Sequence, residues 1–95
     1  MSTFLEVEDQ LIGPVVLDLQ PTVVEVFRAR DGAFRRVHLA PMHLEVQGPN
    51  KKGFYDVVFS MWGNLVTYVT VDGDGYALLH PWLEQVLARQ AELKS

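Results

Sequence analysis

The chain contains no cysteine. Disulfide bracing, a thiolate nucleophile and a cysteine-ligated zinc site are therefore excluded, and stability has to come from a packed core. No stretch approaches the roughly 18 consecutive apolar residues of a membrane-spanning helix. The first nine residues hold Glu6, Glu8 and Asp9 and no basic residue, whereas a secretory leader opens on positive charge. A cytoplasmic location without membrane contact is the expectation. Proline and glycine number only 5 and 7, and no linker, repeat or low-complexity segment divides the chain. Its 95 residues, 48% of them hydrophobic, make one domain, residues 1–95, long enough to bury a core and too short for two.

Most of what is present alternates. Val15, Leu17 and Leu19 fall on one side of a pleat with Val16 and Asp18 opposite, the pattern of a half-buried strand. After the Gln20-Pro21 bend, residues 22–28 are rich in β-branched side chains and form a second strand. Asp31-Gly32 predicts a type I′ reversal. Residues 36–40 read as a strand that Pro41 interrupts, because proline has no N–H for the ladder. Met42, Leu44 and Val46 then alternate with His43, Glu45 and Gln47, and the apolar set is expected to face the core. Residues 48–53, with two glycines, a proline and two lysines, form a loop.

Beyond that loop Tyr55, Val57, Phe59 and Met61 share one face, Gly63-Asn64 supplies a tight turn, and residues 65–71 make the return strand. Asp72-Gly73-Asp74-Gly75 reads as another turn, after which the period lengthens to about 3.6. Pro81 suits the first turn of a helix whose buried stripe is Leu79, Leu83, Val86, Leu87 and Gln90. The expected fold is α+β: an antiparallel, strongly curved sheet or partly open barrel of about six to seven strands with one C-terminal helix. Residues 1–3 and 94–95 are expected to be loosely held.

Linear motifs for chemistry are missing. His38 and His43 are separated by Pro41 at a spacing that does not bring both imidazoles to one face, and His80 has no partner histidine on its helix. The Asp72-Gly73-Asp74-Gly75 run fails as a calcium loop, with Tyr76 and Leu83 where further oxygen ligands are required. No serine sits in a nucleophile elbow, and no glycine-rich segment has phosphate-binding spacing. The chain reads as non-enzymatic, with no catalytic residue, metal or cofactor; a small enzyme lacking a linear motif is the third reading.

Charge is distributed unevenly. Glu6, Glu8, Asp9, Asp18 and Glu25 stand in residues 1–27 with no lysine or arginine. Residues 28–52 reverse the sign, setting Arg28, Arg30, Arg35, Arg36, Lys51 and Lys52 against Asp31 and Glu45. A reversal at Asp31-Gly32 gathers four guanidinium groups, which grip phosphate or carboxylate. The same charges also keep sheet edges from pairing and balance the acidic strands. Phe34, Trp62 and Tyr68 form a candidate apolar interface, each with the alternative of closing the core.

The order of strands 15–19, 22–28, 36–46, 55–61 and 65–71 before the tryptophan-containing helix 81–93 resembles a pleckstrin-homology-like domain of the short bacterial form. That resemblance implies seven strands, which requires residues 4–8 to supply one and the run 36–46 to bend into two. It also implies a scaffold that binds peptides, proteins or itself. Phosphoinositide-binding members carry their basic cluster on the first strand pair, and the Gln20-Pro21 bend is uncharged, so lipid binding is not implied. The leading expectation is a module that contacts a protein partner or a second copy of itself. The alternative is an anion-binding module for nucleic acid or a phosphorylated ligand through the basic stretch.

Overall fold

The computed structural model describes residues 4–94. The expectation for residues 1–3 and 95 lies outside them. Strands β1 (Phe4–Asp9), β2 (Gly13–Leu19), β3 (Val23–Arg28) and β4 (Phe34–His38) are followed by β5 (Met42–Gln47), β6 (Tyr55–Met61) and β7 (Asn64–Val71), and α1 (Gly73–Lys94) ends the chain. Successive strands pair antiparallel into a four-stranded sheet, β1-β2-β3-β4, and a three-stranded sheet, β5-β6-β7. The fold is α+β. No helix among the described residues is long and apolar enough to cross a membrane.

The two sheets exist because the run 36–46 bends, as proline in a ladder requires. At the bend Leu39 N–H donates to the Thr22 carbonyl at 2.9 Å and Met42 N–H to the Leu39 carbonyl at 3.1 Å. The inner faces carry the alternating apolar residues: Val15, Leu17, Val24, Val26 and Val37 from the first sheet, Val57, Phe59, Val69 and Val71 from the second, all essentially inaccessible. Burial fades along β5. Met42 is buried, Leu44 is half-buried and Val46 is 40% exposed, so the expected inward set of that strand leaves the core at its far end.

Opposite that bend the sheets are joined at β1 and β7. Gln10 N–H donates to the Thr70 carbonyl at 2.8 Å, and the buried Asp9 carboxylate accepts Thr70 N–H on Oδ2 at 2.8 Å. Its Oδ1 accepts the N–H groups of Leu11 at 2.8 Å and Ile12 at 3.1 Å, which closes the β1–β2 turn. Gly13, at φ 84°, completes this three-residue loop.

Both predicted two-residue turns are corrected. At β3–β4 the chain reverses as expected, but only Gly32 takes a positive φ, so the connection is a longer loop and not type I′. The observed register pairs Phe27 with Phe34 and Glu25 with Arg36. A two-residue turn at Asp31-Gly32 would instead set Arg28 directly against Arg35, and like charges in that position repel. At β6–β7 the turn residues are Trp62 and Gly63, at φ 50° and 79°, while Asn64 is already in the strand opposite Met61. Val66 then sits in a bulge, Ser60 pairing with Leu65 and Phe59 with Thr67. The extra residue turns Val69 and Val71 inward and Tyr68 outward.

The helix begins at Gly73, not at Pro81. Asp72 is its cap, with Oδ1 accepting Gly75 N–H at 2.7 Å and its carbonyl accepting Tyr76 N–H at 2.9 Å. That cap offsets the helix cost of two glycines, which composition alone reads as a turn. The buried stripe is Leu79, Trp82, Leu83, Val86 and Gln90, whereas Leu87 is 47% exposed and Trp82 takes its place. Gln90 is a polar stitch: its Nε2 donates to the carbonyls of Leu39 at 2.8 Å and Met42 at 2.6 Å, fastening the helix to the bend between the sheets.

Pro81 therefore lies inside the helix, on its exposed side, where it withholds an N–H from the Ala77 carbonyl. Pro81→Ala is expected to stabilise the fold by about 1–3 kcal/mol, from the propensity difference less the entropy that proline removes from the unfolded chain. Thermal unfolding checks this, and an unchanged or lower Tm contradicts it.

Candidate functional site

Strand alternation divides the predicted basic stretch. Arg35 is opposite the buried Val26, and Arg28 is two residues beyond it on the same strand, so both project from the inner face as diagonal neighbours roughly 7–8 Å apart. Arg36 projects from the outer face, where Nε and Nη2 hold Glu25 Oε2 at 3.1 and 2.7 Å. Arg30 is exposed in the β3–β4 loop, and Lys51 and Lys52 belong to the β5–β6 loop. Arg28 Nη2 meets Asp31 Oδ2 at 2.6 Å. Ala33 N–H, and after it the Arg28 side chain, hold the Asp31 carboxyl below the usual carboxylate range. That pairing is accordingly present above the ordinary range and lost as pH falls through the lowered value.

Two concavities adjoin at Leu11, Leu65 and Tyr68. The smaller is a cavity of about 140 Å³ at the start of β7, bordered by the β1–β2 turn and by the β3–β4 hairpin. Arg28, Arg35 and Thr67 give it polar walls, and Ile12, Val26 and Val66 give it apolar ones. Arg28 Nε itself is fully buried, and it has no hydrogen-bond partner among the described residues. Arg35 Nη1 donates to the carbonyl of its neighbour Phe34 at 2.9 Å.

The larger is a groove of about 770 Å³ along the outer face of the second sheet. Val58 and Tyr68, paired across β6 and β7, form its floor. Phe54, Leu11 and Leu65 flank them, beside Lys51 and Lys52. The loop carrying the lysines is tied to itself: Asn50 Oδ1 accepts the N–H groups of Lys52 at 2.9 Å and Phe54 at 3.0 Å. Gly48 permits that closure, since at φ 118° a Cβ there would meet the Phe54 carbonyl oxygen at 2.7 Å.

No family model, curated protein or solved structure matches this chain.

The three predicted interface aromatics are exposed but do not form one patch. Phe34, 46% exposed, lies on the outer face of the first sheet beside Phe27 and beneath the Arg36 guanidinium. Tyr68, 47% exposed, lines the groove, and Trp62, 76% exposed, tips the β6–β7 turn. His80 Nδ1 is 3.2 Å from Glu84, and no metal-binding group of histidines and carboxylates exists among the described residues. Leu11, Phe54, Val58 and Leu65 were not predicted as site residues. Leu11 is 66% exposed in the three-residue β1–β2 turn, a position that the residue pattern did not single out.

Proposed function

We propose that the chain is a non-enzymatic binding module that seats an extended, acidic and apolar peptide segment of a partner protein on the outer face of β5, β6 and β7. The groove carries this reading. Leu11, Leu65 and Tyr68 are 66%, 62% and 47% exposed along it, and contiguous apolar surface of this kind marks a docking site. Charge selects the occupant. Lys51 and Lys52 make no ion pair among the described residues, while Asp56 in the same groove is engaged by the Thr70 hydroxyl at 2.6 Å. Acidic side chains on an apolar segment satisfy both features.

The resemblance to pleckstrin-homology-like domains, with a strongly curved or partly open barrel, belongs to the same proposal. Seven antiparallel strands divided four and three ahead of one helix support it, although a fold leaves function open. A cytoplasmic site of action is part of it as well. Nucleic acid is disfavoured because the cations are split between faces and two of the arginines are held by Glu25 and Asp31.

Peptide display against the folded chain tests the reading. Selected sequences are expected to mix Asp or Glu with Leu, Phe or Trp. Leu65→Glu is expected to weaken a selected peptide at least about tenfold while the urea midpoint stays unchanged, as loss of an interface anchor does. Tolerance of both Leu65→Glu and Tyr68→Glu, or self-association of the chain through this face in sedimentation, refutes it.

A further inference from the structure

Phenylalanine is ordinarily among the most buried residues, yet three of the chain's 5 phenylalanines, Phe4, Phe27 and Phe34, lie exposed on the outer face of the first sheet. Cross-strand register lays Val16, Phe27 and Phe34 in one apolar row from β2 to β4. We infer that this face joins a second copy of the chain in a twofold dimer. Apolar surface alone does not name an occupant, but the charge around the row does. At its β1 end stand Glu6, in the same row, and Glu8, one row on, and neither forms an ion pair among the described residues. At its β4 end stand Arg36, two positions along the strand from Phe34, and Arg30 in the adjoining loop. Arg30 likewise has no ion pair among the described residues, and Arg36 stays exposed although it holds Glu25.

Two twofold arrangements bring the face against itself. An axis lying across the strands stacks β1 on β1, so Glu6 and Glu8 meet their own copies and repel. An axis parallel to the strands instead stacks β1 of each copy on β4 of the other. Glu6 then lies at the height of Phe34 and next to Arg36 of the second copy, and Val16 packs on Phe27. Glu8 lies at the height of the β3–β4 loop that carries Arg30, because its strand partner Pro14 accepts Ala29 N–H from that loop at 3.1 Å. Of the two orientations, only this one makes the face complementary to itself in sign and in apolar pattern. Size sets the strength. Four strands at about 4.8 Å spacing, each offering about six residues of roughly 3.3 Å, fall short of the roughly 800 Å² per partner of a standard interface, so the dimer is weak and reversible. The peptide groove belongs to the other sheet, and a dimer formed here leaves both copies of it open.

Sedimentation velocity of the full chain over a concentration series in low-salt buffer tests the inference. The wild-type chain is expected to pass from monomer toward dimer below about 1 mM. Phe27→Ser is expected to weaken the dimer at least about tenfold, as loss of a central anchor does. Two charge variants test the orientation: Glu6→Lys with Glu8→Lys, and Arg30→Glu with Arg36→Gln, the glutamine sparing Glu25 a like-charged neighbour. Each alone is expected to weaken the dimer about tenfold, and an equimolar mixture of the two to restore it, because unlike charges then meet at both ends of the row. Leu65→Glu is expected to leave the dimer intact, which separates this contact from the groove. A wild-type chain still monomeric at about 1 mM, a dimer that survives Phe27→Ser, a mixture no stronger than its components, or a dimer lost in Leu65→Glu overturns the assignment. If a charge variant does not fold, the wild-type series, Phe27→Ser and Leu65→Glu decide alone.

Discussion

Asp9→Ala is expected to lower folding stability by about 3–5 kcal/mol, because it removes a buried charged acceptor from three backbone donors at once. Leu11 and Ile12 sit in a turn and find water when the carboxylate is gone, so their share is the smaller. Thr70 N–H has no such recourse, since Thr70 is only 5% exposed. Its unmet donor lies at the join between the two sheets, where Gln10 N–H also reaches the Thr70 carbonyl. Asp9→Asn is expected to fall between wild type and alanine. Its one remaining oxygen can serve the turn or the join but not both, and its amide nitrogen then faces another donor. Urea unfolding measures the loss. A change below about 1 kcal/mol for Asp9→Ala, the worth of a single ordinary hydrogen bond, contradicts this account.

Phe59→Ala is expected to cost about 3–5 kcal/mol, the usual range for emptying a large aromatic site in a core. Phe59 is inaccessible, on the central strand of the second sheet, with Leu44 and Thr67 as its cross-strand partners. Neither neighbour can collapse into the space without leaving its own ladder, which places the loss at the upper end. Leu44→Ala gives the contrast. That side chain is half-buried near the fading end of β5, so about 1–2 kcal/mol is expected. Equal losses at the two positions in equilibrium denaturation would show that the burial gradient along β5 has been misjudged.

Alternation carried the strands because it is local: each inward residue is set by its neighbours two positions away. Pro41 marked the change of sheet for an equally local reason. Register was not legible in the same way. The β3–β4 pairing is selected by Phe27 against Phe34 and Glu25 against Arg36, contacts between residues 7 and 11 positions apart that turn composition does not encode. The start of α1 rests on one side-chain cap at Asp72, hidden by two glycines that ordinarily signal a turn. At the candidate sites, Arg28 and Arg35 were named as residues of a basic stretch but not as a pair on one face. Counting two positions from Val26 and two from Val37 puts both on the inner face, a parity argument the sequence does contain. The groove was less accessible to such reasoning, because Leu11 reaches it from a distant turn and Tyr68 faces it only through the bulge at Val66.

The two tryptophans occupy opposite extremes, Trp82 at 4% exposure inside the helix contact and Trp62 at 76% on the tip of a hairpin. Their fluorescence is consequently separable. Trp62 emits as an indole in water and is open to quenching by iodide or acrylamide, whereas Trp82 emits at shorter wavelength and is shielded until the helix lifts away. A Trp62→Phe chain thus contains one optical probe of helix docking, read without any attached dye.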